Sequence, residues 1–514
     1  MWSATRLIFS HFVLLLACLH QQACSTSSSL PCSLRGLGNA NSVCVCNATY
    51  CDTVTPLPQL TEGQVAVYSS SQDGERLAFS VAPILKTSTG LVYEVLRNKT
   101  RQSIIGFGGA FTDSAGINIA SLPQAAQDKL LQSYFAPEGI EYNIGRVPMA
   151  SCDFSTHQYS YDDVDGDFQL QHFALAPEDL KYKIPFIQRA MAMSKRGIKM
   201  FGSPWSAPAW MKTNKNMTGN GTLIGQPGGP YYRTWANYFV RFLQEYQKHN
   251  ITFWGLTAQN EPTDGYIYKH YFQAMGFTPE QQRDFIKLDL GPALHNNSFG
   301  DVKLMMLDDN RLLLPYWAEK VLSDPEAAKY VSGIGIHWYI DQFSPLLALD
   351  LTHQEFPDKF ILATEATVKV VKIGVWDHAQ SYASDILDDL NHWVTGWTDW
   401  NIALSTIGGP NWVHNLDNSP IFVNATAKEF YKQPMFYAMG HFSKFLPPGS
   451  VYLEIAVPSP SPYVKAAAFL RPDSNVAAVF LNMDSSSVLL SIKDGSRYVN
   501  FDMQPYSLRT FIWK

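Results

Sequence analysis

The sequence has little charge of either sign and no excess of basic residues. Charged residues make up 16% of the 514 positions, and 39 Lys and Arg stand against 45 Asp and Glu, which gives a net charge of −6. A protein that binds nucleic acid needs a basic surface, so we expect no nucleic-acid partner. Aromatic residues are abundant instead, at 13%, and such rings suit either a large core or a site for ligands with an apolar face.

Long hydrophobic runs are missing beyond the first residues. Arg6 precedes an apolar stretch, Leu7–Leu19, and small residues follow at Ala23–Ser25, which is the pattern of a signal peptide over residues 1–25. The stretch is too short and too interrupted by polar residues to span a bilayer comfortably. No later segment reaches 18 consecutive apolar residues, so we expect a soluble mature protein.

Cysteine is scarce, and two of the seven cysteines fall within the predicted signal peptide. Four others cluster within twenty residues, at Cys32, Cys44, Cys46 and Cys51. Such a cluster either binds zinc or forms disulfides, and the secretory context favours two disulfides. Cys152 stands alone, and a buried thiol without a chemical role is more common than a nucleophile.

Seven Asn-x-Ser/Thr sequons also indicate passage through the secretory pathway. Any one of them could arise by chance, but together they support the compartment. We predict glycosylation at Asn47, Asn98, Asn216, Asn220, Asn250, Asn296 and Asn424.

Both ends of the chain contain short segments in which apolar and polar residues alternate. This pattern predicts one antiparallel β-sandwich built from both ends. The predicted strands are Val65–Ser69, Leu77–Val81, Leu91–Val95, Ala466–Leu470, Val476–Asn482, Val488–Ile492 and Ser507–Trp513. The chain is too long for one simple core. We therefore divide it into a signal peptide (1–25), a disulfide-bearing N-terminal unit (26–56), the first part of the sandwich (57–102), a catalytic domain (103–447) and the second part of the sandwich (448–514).

The middle of the chain alternates apolar strands with helical patterns, which predicts βα units and a parallel sheet. The eight strand candidates are Ile104–Phe107, Tyr142–Val147, Ile198–Ser203, Phe253–Ala258, Lys303–Leu307, Ile334–Trp338, Phe360–Thr364 and Thr395–Trp400. Eight units over about 300 residues indicate an α/β fold of the (β/α)₈ TIM-barrel type. A doubly wound sheet is the alternative, but no Gly-x-Gly-x-x-Gly fingerprint follows the first strand, and Gly106–Gly109 lacks the Lys-Ser/Thr of a phosphate loop.

Polar and aromatic residues gather where these strands end, which is where barrels of this type place their active sites. The residues at or just after the strand ends are Arg146, Asp153, Phe154, Trp205, Asn260, Glu261, His337, Trp338, Tyr339, Glu365, Asp399, Trp400 and Asn401. Large aromatic rings beside hydrogen-bonding groups are typical of sugar sites.

Two of these residues, Glu261 and Glu365, predict glycoside chemistry, which needs one protonated and one ionised carboxyl group. We expect the pair roughly 5–5.5 Å apart, the spacing of retaining glycosidases. We also expect Pro262 to hold Glu261 in extended geometry. Simpler readings exist for each residue: Asn-Glu-Pro forms turns, Glu365 could be an ion-pair partner for Arg146, and Trp205 and Trp338 could be core residues.

Nearly the whole chain after the signal peptide resembles the animal lysosomal glucosylceramidases of glycoside hydrolase family 30. The matching stretches are Val43–Asp52, Gly106–Ala110, Arg146–Ser155, Asp399–Asn401 and Tyr431–Phe436. The resemblance implies the barrel, the sandwich and the small N-terminal unit. It makes Glu261 the acid/base and Glu365 the nucleophile. It implies sugar binding by Asp153, Trp205, Asn260, Tyr339, Trp400 and Asn415, with His337 and Tyr339 around the nucleophile and Arg146 supporting it.

The implied substrate is glucosylceramide, cleaved to glucose and ceramide at an anionic lumenal membrane of the lysosome. The resemblance also implies a saposin-type activator, a lysosomal sorting receptor, and no metal or organic cofactor. We expect burial and the nearby carboxylate to raise the pKa of Glu261, and hydrogen bonds to keep Glu365 ionised. The loop after Glu365 is several residues shorter than in the family, so the aglycone could differ. The alternatives are another β-glucosidase or β-xylosidase, an inactive sugar- or lipid-binding protein, and a structural partner of a lysosomal receptor.

Overall fold

The computed structural model describes residues 29–514. The predicted signal peptide, with Cys18 and Cys24, lies outside the described residues. The described chain forms a closed barrel, a nine-stranded sheet and a five-stranded sheet. Within residues 29–514, no helix has the length and apolarity needed to cross a membrane.

Eight parallel strands close into the barrel, each hydrogen-bonded to the next along the chain, and the eighth bonded to the first. In chain order, barrel strands 1 to 8 are Gly106–Ala110, Ile144–Met149, Lys199–Pro204, Phe253–Thr257, Lys303–Asn310, Val331–His337, Phe360–Glu365 and Val394–Asn401. The predicted TIM barrel is therefore confirmed. Each of the eight predicted barrel strands is present, and its ends differ from the prediction by three residues or fewer.

Side chains that point into the barrel fill it and leave the carboxyl ends of the strands for polar groups. Ile144, Phe201, Met305 and Leu362 come from strands 2, 3, 5 and 7 and pack together inside the barrel, as the layered interior of this fold requires. In strand 1, a Cβ on Gly108 would lie 1.9 Å from the carbonyl oxygen of Ile144. Gly108 thus allows strands 1 and 2 to approach closely.

Helices surround the barrel because each carries one apolar stripe. In Pro230–Gln247, for example, Trp235, Phe239, Phe242 and Tyr246 recur every three or four residues and are buried, which is the period of a helix face. The α-helices are Asp113–Ala120, Gln124–Phe135, Ile184–Met193, Pro230–Gln247, Pro279–Phe285, Gly291–Asn296, Tyr316–Leu322, Pro325–Ala328, Leu347–Glu355, Trp376–Asn391 and Pro434–Ser443.

The nine-stranded sheet folds into the predicted β-sandwich. Its strands, in spatial order, are Arg497–Met503, Val488–Asp494, Leu91–Ser103, Val451–Ala456, Val464–Leu470, Val476–Asn482, Ser507–Trp513, Gln64–Ser71 and Ala78–Pro83. The long strand Leu91–Ser103 pairs in parallel with Val488–Asp494 and antiparallel with Val451–Ala456. Tyr93, Phe480 and Trp513 belong to the buried core of this sandwich.

The N-terminal unit contributes two strands to the five-stranded sheet. In spatial order its strands are Leu34–Gly38, Asn41–Asn47, Glu429–Lys432, Ile421–Asn424 and Leu404–Ser405. Cys32 is bonded to Cys44 and Cys46 to Cys51, so the prediction of two disulfides is confirmed. Cys152 is buried and free.

Candidate active site

Glu261 and Glu365 face the same space at the carboxyl ends of barrel strands 4 and 7. Glu365 is the last residue of strand 7 and lies beside His337, the last residue of strand 6. Glu261 follows strand 4, and its backbone N–H donates to the carbonyl oxygen of Asp308 in strand 5 at 2.8 Å. One carboxylate oxygen of each glutamate and a ring nitrogen of His337 lie within 4.8 Å of one another.

The backbone of Glu261 differs from the extended geometry expected from Pro262. Its φ is +39°, in the left-handed region that costs a residue other than glycine about 1–3 kcal/mol. Its carbonyl oxygen accepts a hydrogen bond from the N–H of Asp264 at 3.0 Å. The expectation from Pro262 is therefore wrong: a tight turn over residues 261–264 reverses the chain, and hydrogen bonds on both sides of Glu261 hold the strained conformation.

Arg146 is fully buried and connects the acidic groups of the site. Its guanidinium donates to Glu365, to Asn260 Oδ1 at 2.8 Å and to Asp308 Oδ2 at 3.0 Å. A buried charge is tolerated when it is paired and fully hydrogen-bonded. The ion pair between Glu365 and Arg146 thus exists, and it fixes one oxygen of Glu365 while the other faces the pocket.

That second oxygen of Glu365 accepts a hydrogen bond from the Tyr339 hydroxyl at 2.6 Å. Burial and the negative charge of Glu365 raise the pKa of Tyr339 well above its usual value, so the phenol keeps its proton and remains a donor. Two donors, from Arg146 and Tyr339, therefore hold the carboxylate of Glu365 in place.

His337 lies beside Glu365 in the strand pairing and also contacts Glu261. Its Nδ1 lies 3.1 Å from Glu261 Oε1 and its Nε2 lies 3.0 Å from Asp308 Oδ1. Burial disfavours a charged imidazole, but the charge of Glu365 and hydrogen bonds to Asp308 and Glu261 raise the pKa of His337 to about 10. His337 is therefore an imidazolium that donates to both carboxylates.

The expected rise in the pKa of Glu261 is wrong. Burial acts to raise it, but the hydrogen bond from His337 and the positive charges of His337 and Lys369 outweigh burial, so the pKa of Glu261 lies below its usual value. The neighbouring Asp264 has the opposite shift, since burial and the charge of Glu261 raise its pKa.

The glutamates line a cavity of about 230 Å³, which is smaller than the roughly 300–1,000 Å³ of pockets for drug-sized ligands. Its walls include the stacked indoles of Trp205 and Trp400, whose ring centres are 5.1 Å apart. The lining residues are Asp153, Trp205, Glu261, Asp264, Tyr271, Phe272, Asn310, Tyr339, Glu365, Lys369, Trp400 and Asn415. Such a cavity has the size and the mixed walls that suit one sugar ring.

Asp153 provides a fixed hydrogen-bonding group on the wall of this cavity. Its Oδ2 accepts from the side-chain amides of Asn415 at 2.8 Å and Asn411 at 3.3 Å. Burial raises the pKa of Asp153 to about 6, against the opposing effects of Lys369 and Asn415. Asp153 and Asn415, which are distant in sequence, thus form a hydrogen-bonded polar pair on the cavity wall, of the kind that can recognise ligand hydroxyl groups.

Not every residue singled out in the sequence lines the cavity. Arg146, Asn260 and His337 lie behind the glutamates and touch them or each other. Trp338 packs against Tyr382 and Trp397 instead, so the alternative that Trp338 is a core residue is correct.

Other site residues were missed in the sequence, namely Asp264, Asp308, Asp309, Asn310 and Lys369. For three of them a signal existed, because the apolar strand 5 ends in the polar run Asp308–Asn310. The positions of Asp264 and Lys369 depend on loop conformation, which residue type alone does not give.

Two carboxyl groups that flank one small cavity with indole walls, at the mouth of a TIM barrel, define a glycoside hydrolase. Comparison with known families agrees. The model of the glycosyl hydrolase family 30 TIM-barrel domain matches residues 104–446, and that of the family 30 beta sandwich domain matches residues 449–511. The chain belongs to glycoside hydrolase family 30.

The chain is similar to characterised and putative glucosylceramidases over almost its whole length. It is 50% identical over 494 residues to the lysosomal acid glucosylceramidase of Mus musculus, covering 94% of this chain and 96% of that one. It is 48% identical over 487 residues to putative glucosylceramidase 3 of Caenorhabditis elegans, covering 92% and 93%. Among solved structures, SrfJ from Salmonella typhimurium superposes with a TM-score of 0.82 at 27% identity, covering 88% of this chain and 99% of SrfJ.

Proposed function

We propose that this glycoside hydrolase is a retaining β-glucosidase that releases glucose from glucosylceramide. The observation that carries the proposal is the short separation of the two carboxyl groups, with oxygens within 4.8 Å of each other. Inverting enzymes hold their carboxyl groups about 6.5–9.5 Å apart to admit a water molecule, whereas retaining enzymes hold them about 5–5.5 Å apart. The spacing favours direct attack by one carboxylate.

In the first step, Glu365 attacks the anomeric carbon while Glu261 gives a proton to the glycosidic oxygen, and the aglycone leaves as an alcohol. Arg146 and Tyr339 orient Glu365 for this attack. The product is an α-linked glucosyl ester on Glu365. In the second step, Glu261 takes a proton from water, the water oxygen attacks the anomeric carbon, and the ester bond breaks to release β-glucose.

Similarity to a mouse enzyme named for acid glucosylceramide hydrolysis supports the lipid substrate. The exposed apolar side chains around the cavity support it as well. They lie on the loops and at the helix starts that follow barrel strands 4 to 8, at the same end of the barrel as the glutamates: Tyr266, Ile267, Tyr268, Tyr271, Leu312, Tyr316, Phe343, Leu347, Val370 and Ile407. A large exposed apolar surface suits contact with a membrane or a partner. The proposal includes an anionic lumenal membrane, to which Lys269, Lys369 and Lys372 in the same loops would be attracted.

The proposed location is the lysosome, reached through the secretory pathway, with a sorting receptor and a saposin-type activator as partners. The two disulfides suit that route. The sequons are also consistent with the secretory route, because none of their asparagines is buried.

The substrate is tested by measuring initial rates on three substrates at pH 5. We expect hydrolysis of glucosylceramide in phosphatidylserine vesicles and of an aryl β-glucoside, and no release of xylose from an aryl β-xyloside or xylan. Proton NMR of the first sugar released should show the β-anomer before it equilibrates. Initial α-glucose would refute the retaining mechanism, and activity on the aryl glucoside without activity on the lipid would refute the lipid substrate.

The membrane contact predicts a selective effect of the most exposed rim side chains. Tyr268 and Phe343 are 76% and 70% exposed, and an apolar side chain gains about 1.5–3 kcal/mol on full burial. We expect the double variant Tyr268→Ser, Phe343→Ser to reduce sedimentation with anionic vesicles and vesicle glucosylceramide hydrolysis by about tenfold or more. The rate on a soluble aryl glucoside should change less than about twofold.

Tyr463→Ser is the matched control for this surface. Tyr463 is 53% exposed and precedes a sandwich strand, Val464–Leu470, away from the barrel mouth. Equal loss of vesicle binding in the control and the double variant would place the contact elsewhere.

A further inference from the structure

We propose that Asp264 is the proton-holding partner of Glu261, so that these two carboxyl groups act together as the acid/base of the reaction. The inference rests on the proposed function, in which Glu261 is the acid/base. Asp264 lies three residues after Glu261, lines the same cavity, and does not take part in the mechanism described above. It is a positioning residue, because it would act on the reacting atoms only through Glu261.

The turn after strand 4 brings the two carboxyl groups together. The Asp264 N–H donates to the Glu261 carbonyl oxygen at 3.0 Å, and the Asp264 carboxyl group is near enough to the Glu261 carboxyl group for each to shift the pKa of the other. A carboxyl group and a carboxylate can share a hydrogen bond only when one of the two holds a proton. The backbone hydrogen bonds of Glu261 to Asp308 and Asp264 hold this turn in place.

The surroundings decide where that proton is held. On one side, the protonated His337 donates to Glu261 and favours its ionised form. Asp264 faces the negative charges of Glu261 and Asp309, the latter at the end of strand 5. Four titratable groups therefore surround Asp264: Glu261 on its own turn, Asp309 on strand 5, His337 on strand 6, and His270 in its own loop.

His270 does not supply a counter-charge to Asp264. Its Nε2 lies 3.6 Å from Asp264 Oδ2 and is buried without a hydrogen-bond partner among the described residues. Burial lowers the pKa of His270 and so disfavours a positive charge on its ring. Burial and the negative charges of Glu261 and Asp309 outweigh the positive charge of His337 at Asp264, so Asp264 is the member of the pair that holds the proton before the reaction begins.

The proton then moves with the reaction. As the glycosidic oxygen takes a proton from Glu261, the Asp264 O–H supplies one to Glu261, leaving Asp264 ionised. In the second step Glu261 takes a proton from water and returns it to Asp264. Each half-reaction moves one proton in opposite directions, so the pair ends as it began. This arrangement explains how an acid held ionised by His337 can still protonate a leaving group.

The test is Asp264→Asn, assayed from pH 4 to pH 8 on phenyl and 2,4-dinitrophenyl β-glucosides. The amide cannot give up a proton and stabilises ionised Glu261, so the alkaline limb of kcat/KM for phenyl glucoside should move about one unit toward lower pH. At pH 6 that rate should fall on the order of tenfold. The dinitrophenyl substrate, whose leaving group needs no proton, should be affected less than about twofold.

Controls separate a proton role from a folding role. Rates are expressed per site labelled by a 2-deoxy-2-fluoroglucoside, so misfolded molecules do not count. Asp264→Ser, which also lacks the carboxyl group, should show the same shift, and Asp264→Glu should restore most of it. Asp358→Asn, an exposed carboxylate just before strand 7 at the opposite end of the barrel, should change nothing.

Two results would overturn the inference: an unmoved alkaline limb in both variants that lack the carboxyl group, or equal losses on the two substrates. Glu261→Gln is measured in parallel. If that variant lacks the behaviour of an acid/base variant, the proposed function fails; if it has that behaviour and Asp264→Asn does not shift the profile, only the role of Asp264 fails.

Discussion

Replacing Glu365 with glutamine is expected to abolish turnover of every β-glucoside tested. The amide keeps the size of the side chain but cannot form the glucosyl ester, so the covalent route is lost. We expect kcat to fall by more than about 10³-fold. The measurement is the initial rate on 2,4-dinitrophenyl β-glucoside at pH 5, chosen because its leaving group needs no acid and the rate reports attack alone.

A second measurement identifies the nucleophile directly. A 2-deoxy-2-fluoroglucoside should label the natural enzyme on the peptide that contains Glu365 and should leave Glu365→Gln unlabelled. The variant removes the negative charge that Glu365 places beside Arg146, and uncompensated buried charges destabilise folds, so thermal unfolding is measured alongside. Label on another residue, or substantial turnover by a folded Glu365→Gln enzyme, would show that Glu365 is not the nucleophile.

Replacing Glu261 with glutamine is expected to give losses that depend on the leaving group. General acid catalysis contributes about 10²–10⁴-fold, so rates on glucosylceramide and phenyl glucoside should fall within that range. Formation of the glucosyl ester from 2,4-dinitrophenyl glucoside should be nearly unaffected. Breakdown of the ester still needs a base, so the ester should accumulate.

Azide checks this assignment, because it attacks the ester without a general base. Adding sodium azide to Glu261→Gln should raise the turnover of dinitrophenyl glucoside and yield β-glucosyl azide. The natural enzyme, which already activates water, should show little change. Uniform loss on all substrates without rescue by azide would mean that Glu261 has another role.

The barrel could be predicted from sequence because its signals are local. Each strand is a short apolar run followed by a helix with an apolar stripe, and both patterns follow from burial. Two sandwich strands, Val451–Ala456 and Arg497–Met503, were missed. Both strands are half-exposed and mixed in composition, and such strands give only a weak alternation of apolar and polar residues.

The positions of the two glutamates could be predicted for the same reason, since strand ends converge in any barrel of this type. The electrostatic environment of the two glutamates could not be predicted from the sequence. Whether burial raises the pKa of Glu261 or a neighbour lowers it depends on the placement of His337, Asp308 and Asp264, which come from three different strands or loops. The residue types at the strand ends predict which groups come together, but they do not predict the hydrogen bonds between those groups.

The unit near the N-terminus shows a related limit. The cysteine cluster predicted disulfides, and the bonds formed as neighbouring pairs. The pairing of Asn41–Asn47 with Glu429–Lys432 had no local signal, because it joins segments almost 400 residues apart. Such contacts are determined by the whole fold.

The sandwich has a consequence for how the protein is made. Ser507–Trp513 lies between Val476–Asn482 and Gln64–Ser71, in the interior of the sheet. During synthesis, Gln64–Ser71 therefore lacks this partner until residues 507–513 have been made, which is after the whole barrel. A truncation before Ser507 would remove an interior strand and leave an open sheet beside a complete set of catalytic residues.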